Sequence, residues 1–194
     1  MAKAKKSGPA IFMYCVIALA AVLALLSFIL YYGKFCQSQA LLWTGVTAFT
    51  IMYHLWLRLI MGNVTKLFCV RHFWPLFREL PFEKGLYRVL RVKRWKDKAL
   101  TYNPELFSLK DYSLEDIANT TAKAELDHWV NELISLSTLL FALVWGEFWI
   151  FGLTAFLAML FDAQFILIQR YNRPRLLRLM KLKTKNVPTQ GATL

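Results

Sequence analysis

An all-α integral membrane protein is the fold this sequence predicts, with about four transmembrane helices and a basic, amphipathic insert between the second and third. Three observations predict it. Of 194 residues 57% are hydrophobic, and mean hydropathy is +0.39; ordinary soluble domains are about 45–50% apolar. The apolar residues gather in four hydrophobic segments, the third of them short, instead of alternating runs. The net charge of +12 lies beside those blocks and along no nucleic-acid-binding motif. The composition therefore argues against nucleic acid and points to anionic membrane lipids or a phosphorylated substrate as partner.

Each element follows in order. Residues 10–32 form a first span, preceded by Lys3, Lys5 and Lys6. This has the charged start of a signal peptide, but it is too long and lacks a small-x-small cleavage site, so it reads as retained. A short loop, 33–39, leads to the second span at 40–61. Residues 62–128 are the insert. The third segment, 129–145, has an apolar part too short to cross roughly 30 Å of hydrocarbon, so its helix must begin near His128 or be re-entrant. Gly146 and Glu147 mark a turn. Residues 148–168 are apolar apart from Thr154, Asp162 and Gln164, enough for a fourth span, and 169–194 form a basic tail. The whole reads as a single membrane domain. Basic residues number three before the first span, one in the 33–39 loop, twelve over 62–132 and seven from Arg170 onward. The positive-inside rule then predicts a multi-pass protein of the cell membrane with both termini and the insert in the cytoplasm.

Within the insert, Phe68, Arg71, His72, Phe73, Trp74, Phe77 and Arg78 mix aromatics with bases, as suits a segment lying among head groups. Arg88, Arg91, Lys93, Arg94, Trp95, Lys96 and Lys98 follow. This run reads equally as a lipid-attracted face or as a subsite for the phosphates of a coenzyme or substrate, with Trp95 stacking. After a turn at Asn103-Pro104, Ser113 followed by Asp116 predicts a capped helix start. Helical spacing then sets Thr121, Glu125, His128 and Glu132 along one stripe. An imidazole between carboxylates is suited to accept a proton from a hydroxyl, and Glu125 is expected to orient it; the alternative is a histidine resting at the interface.

His54 and Arg58, four apart on the second span, form another pair. Ionisable groups at membrane depth are functional candidates, although Arg58 can snorkel to the surface. Asp162 needs a partner, with Arg58 or His54 available. Cys15, Cys36 and Cys69 lack metal-ligand spacing, and no metal site is expected. The fourth span ends on Gln169-Arg170-Tyr171-Asn172-Arg173-Pro174-Arg175. Three guanidiniums there suit phosphate or carboxylate, and Pro174 predicts a turn.

These residues resemble the glycosyl-4,4'-diaponeurosporenoate acyltransferases of carotenoid biosynthesis. Three ordered blocks carry the resemblance: Phe82-Glu83-Lys84 leading to Arg94-Trp95-Lys96-Asp97-Lys98, then Ala124-Glu125-Leu126-Asp127-His128-Trp129, then Gln169 to Leu176. The resemblance implies transfer of a fatty acyl group from an acyl thioester to a hydroxyl of a glycosylated isoprenoid or related lipid. It assigns Glu125, His128, Trp129, Arg170, Asn172, Arg173 and Arg175 to the site, and Tyr171 sits in the same block. In the mechanism expected here, His128 deprotonates the acceptor and His54 is a second candidate base. Acyl-CoA or acyl carrier protein is the donor, its phosphates held by Arg170, Arg173 and Arg175, with Arg94 and Lys96 as further ligands. No bound cofactor is expected. The acyl tail would lie along Phe148, Phe156 and Phe165. On the residues alone, another lipid-modifying transferase or a non-enzymatic membrane assembly factor explains the same spans and bases.

Overall fold

The computed structural model describes residues 8–99 and 104–185. The three N-terminal lysines, the expected turn at Asn103 and the tail beyond residue 185 lie outside the described residues. Among those described, all regular structure is helical: α1 (Gly8–Tyr32), α2 (Gln39–Val64), α3 (Glu83–Val89), α4 (Val92–Trp95), α5 (Leu114–Ser137), α6 (Ala142–Trp145) and α7 (Phe148–Lys185), with short 3-10 turns between them. Four stretches are long and apolar enough to cross a membrane: Ile11–Tyr32, Gln39–Leu67, Leu114–Trp145 and Phe148–Lys183. The protein is a multi-pass membrane protein.

The chain divides into two compact units, one of Met1–Val64 and Leu133–Phe156, the other of Thr65–Glu132 and Leu157–Leu194. In the first, α1 and α2 pack through small side chains. Ala20, Ala24 and Ser27 of α1 and Gly45 and Ala48 of α2 are buried. A Cβ built on Gly45 would come within 2.9 Å of Ser27 and Phe28. Close backbone approach through small residues is the usual basis of helix association in lipid, where burial of apolar area gives little drive. An aromatic cluster completes the unit: Trp145 stacks on Phe28 at 5.8 Å, and Phe49, Phe141 and Phe151 surround it. Phe12, Leu19 and Leu25 point outward, as lipid-facing side chains should.

The turn expected between the last two spans is present. Gly146 ends α6 at φ 73° and Glu147 follows at φ 51°. The third helix starts much earlier than the hydropathy suggested. It begins at Leu114 under a capping box, in which Ser113 Oγ accepts from the Asp116 N–H at 3.1 Å and Asp116 Oδ2 accepts from the Ser113 N–H at 3.3 Å. The polar first turns of α5 belong to the second unit, packed on protein, so their sequence need not be apolar.

Pro174 does not turn the chain. Helix α7 passes through it to Lys185. An interior proline costs about 3 kcal/mol because it removes one backbone donor and crowds the carbonyl four residues earlier, here Arg170. Arg170 and Arg173 immediately before it are tied to buried carboxylates, and this pairing outweighs the local preference for a break.

Candidate active site

In the second unit α5 and α7 run antiparallel, so residue numbers rise along one as they fall along the other. The side chains that meet across this seam are Thr121 with Arg173, Glu125 with Arg170 and Arg173, and His128 with Asp162. The inner stripe of α5 beside Thr121 is small: Ala118 and Ala122 are fully buried, and Thr121 nearly so. Phe77 and Val70 of the insert close against Ala122, with Leu126 beside them.

One cluster on this seam is ionic. Glu125 is fully buried and Arg173 is 1% exposed. Glu125 Oε2 accepts from Arg173 Nη2 at 2.6 Å, and Oε1 accepts from Arg170 Nη1 at 2.6 Å. Arg170 also donates through Nε to Glu83 at 2.9 Å and through Nη2 to the carbonyl of Arg78 at 2.9 Å. Arg173 donates to Thr121 Oγ1, to the carbonyls of Thr121 and Phe77, and lies over the Phe77 ring at 4.9 Å. Trp129 Nε1 donates to Glu125 Oε1 at 3.3 Å. Buried charges are tolerable only when paired and hydrogen-bonded in this way. Tyr87 completes the cluster by donating to Glu83 at 2.6 Å. Burial, and then that bond to a carboxylate, hold its ionisation well above the ordinary phenol range.

Glu125 therefore does not orient His128, a correction to the sequence expectation. Its oxygens are occupied by guanidiniums, which offer stronger, charge-assisted bonds than an imidazole one turn along the same helix. His128 is held from α7 instead. Its Nδ1 donates to Asp162 Oδ1 at 2.8 Å, and Asn131 Nδ2 donates to the same oxygen at 3.1 Å. Phe165 stacks on the ring at 4.8 Å with the planes 8° apart. Asp162 is 1% exposed, whereas the His128 side chain is 23% exposed. A donor bond at Nδ1 fixes the tautomer that presents Nε2 as an acceptor, and a nitrogen in that state can accept a proton from a hydroxyl.

Some of the remaining residues fall around two cavities in this unit. The larger, about 950 Å³, is lined by Arg170, Arg173, Arg78, Arg178, Lys181 and His72 among apolar walls of Phe73, Phe77, Leu177 and Met180. His72 is anchored to α5, its backbone N–H and Nδ1 both donating to Asn119 Oδ1. The smaller, about 430 Å³, holds Arg94, Arg175 and Tyr171. Arg175 lies over the Tyr171 ring and bonds its hydroxyl. Trp95 donates to the carbonyl of Leu90, and Lys96 pairs with Asp97. Asn172 is partly buried on α7. His54 and Arg58 belong to α2 in the first unit, with His54 edge-on to Tyr53 at 6.2 Å. Phe148 and Phe156 are exposed there. The three cysteines are free and exposed.

Sequence reading missed the pairing of Asp162 with His128 and of Glu83 with Arg170. The one available signal was the presence of a carboxylate inside an apolar span, which requires a partner but does not say which.

A multi-pass helical membrane protein whose second unit holds a carboxylate-held imidazole and a basic, arginine-lined cavity is the class that fold and site define. The family model described as glycosyl-4,4'-diaponeurosporenoate acyltransferase matches residues 71–182, and the chain belongs to that family: it is an acyltransferase. Curated relatives bearing the same name come from Staphylococcus aureus. Those of strains bovine RF122 / ET3-1 and N315 are each 28% identical, over 151 and 149 residues, covering 69% of this chain and 87% of the relative. No solved structure matches. Glu83, Glu125, His128, Asp162, Arg170 and Arg173 all fall inside the matched region, whereas His54 and Arg58 precede it.

Proposed function

We propose that this chain transfers a fatty acyl group from an acyl thioester to a sugar hydroxyl of a glycosylated isoprenoid, at the cytoplasmic face of the membrane. The relatives' name supports a glycosylated carotenoid acid as acceptor, and charge asymmetry supports the orientation. The observation that carries the chemistry is the Asp162–His128 bond at 2.8 Å with Phe165 stacked behind it. His128 Nε2 takes the acceptor hydroxyl proton as that oxygen attacks the thioester carbonyl. The tetrahedral intermediate then expels the thiolate, which receives the proton from the imidazolium, leaving an ester and a free thiol. Asp162 holds the ring and stabilises its transient charge. Glu125, Arg170 and Arg173 hold α7 against the insert, which fixes Asp162 about 12 Å along the helix from Arg170.

Purified protein is supplied with radiolabelled acyl-CoA and a glycosylated carotenoid acid in lipid nanodiscs. Label appearing in an ester of the glycolipid is the expected result. Label remaining in the thioester, or released only as free fatty acid, rejects the proposal.

A further inference from the structure

The larger cavity opens onto two arginines whose donors are directed to Glu83 and Glu125. The smaller one is different. Lys84, Arg88, Arg91, Lys93, Arg94, Arg175 and Arg178 line it, against a single acid, Glu79. These seven cations are exposed, and none is ion-paired among the described residues. Seven like charges around about 430 Å³ repel one another, and an anion of high charge density relieves that repulsion. The backbone adds a second observation. Arg91 sits at φ 50°, ψ 38°, a left-handed conformation that arginine rarely adopts, at the start of α4. Strain of this kind persists where surrounding structure fixes it, and it often accompanies function. Here it bends the chain between α3 and α4, so that Arg88 and Arg91 line the cavity together with Lys93 and Arg94.

The two cavities share Glu79, Pro174 and Arg178 as common wall. They continue one way along α7, from Arg170 and Arg173 to Arg175 and Arg178, and Asp162 lies on the same helix about two turns before Arg170. Between Asp162 and Arg178 the helix rises about 24 Å. A ligand that uses both ends must be long, with phosphates at one end and its reacting group at the other.

We propose that the smaller cavity is the subsite for the nucleotide phosphates of a coenzyme A thioester, and that the larger one carries the pantetheine arm toward His128. The proposal rests on the acyl-transfer reading above and names its donor as the coenzyme A thioester. It moves phosphate recognition from Arg170 and Arg173 to the cations of α3, α4 and the last turns of α7. Tyr171 and Tyr87 supply the aromatic wall, packed edge to face at 5.3 Å.

The test separates donor recognition from catalysis. Full-length protein in neutral detergent is titrated with adenosine 3′,5′-bisphosphate, the nucleotide end of coenzyme A. Saturable binding that competes with coenzyme A is expected. The Arg91→Gln, Arg94→Gln double variant should bind about tenfold or more weakly per lost contact. In acyl transfer by the unaltered protein, an acyl-pantetheine lacking the nucleotide should show a correspondingly raised donor KM. No bisphosphate binding, equal binding by the double variant, or equal KM for the two donors overturns the assignment. Binding to phosphatidylglycerol vesicles that depends on these arginines, without bisphosphate binding, also overturns it and gives the cavity to lipid head groups. Tight bisphosphate binding without transfer from any thioester would support the cavity assignment and reject the acyl-transfer reading instead.

Discussion

Two carboxylates on the seam between α5 and α7 have different partners, Asp162 an imidazole and Glu125 two guanidiniums, and substitution should separate them. His128→Ala is expected to lower turnover by about 10²–10⁴-fold, the usual contribution of a positioned base, with donor binding unchanged. Asp162→Asn should lower kcat in the same direction but less, since an amide oxygen still accepts from Nδ1 yet carries no charge to stabilise imidazolium. Steady-state kinetics in nanodiscs reads both, with His54→Ala as comparison. Full activity in folded His128→Ala protein, or a His54→Ala loss of equal size, would remove His128 from the role. Glu125→Gln should behave otherwise. It leaves Arg173 buried without its carboxylate, and breaking one side of a buried pair costs about 3–5 kcal/mol. Thermal unfolding should therefore fall sharply before any specific kinetic change is seen. A folded, stable Glu125→Gln protein with a selective kcat defect would return that residue to the chemistry.

At the scale of elements, Pro174 gives the sharpest test. If pairing holds α7 together across it, Pro174→Ala restores the donor to the Arg170 carbonyl and should raise stability by up to about 3 kcal/mol. Unfolding in detergent measures it, and a loss would show that the proline's geometry is needed. This helix also shows what the sequence could carry. The spans were legible because their drive is local and compositional, and Ser113-Asp116 and Gly146-Glu147 were legible because caps and left-handed turns depend on a few adjacent residues. The continuation of α7 past Pro174 was not, because what sustains it comes from Glu83 and Glu125, far off in the chain. His128 could be picked out from its stripe, but its partner Asp162 is 34 residues away, and helical periodicity gives no distance between helices.

For the whole molecule, the distribution of bases predicts that the insert lies on the same side as both termini. Single cysteines at Gln39 and Lys110, in a protein freed of its three exposed native cysteines, test this in intact cells with a membrane-impermeant thiol reagent. Reaction at 39 and protection at 110 is expected. The reverse pattern would invert the topology and put the dyad's cavities on the outer face, out of reach of cytoplasmic thioesters.

Helix α7 also imposes angular phase on the second unit. Asp162, Arg170, Arg173, Arg175 and Arg178 ride on one continuous helix, so their bearings around its axis are locked together at about 100° per residue. A single alanine inserted after Ile168 would leave composition, length and hydropathy almost untouched, yet it would swing every arginine by that angle relative to Asp162. The dyad and the guanidinium pairs could then no longer be satisfied at once. Activity should vanish with one inserted residue and return in part with four, which nearly completes a turn, while equal insertions in the 33–39 loop should be tolerated. The register of this one helix, more than any single side chain on it, is the quantity that sequence drift here must preserve.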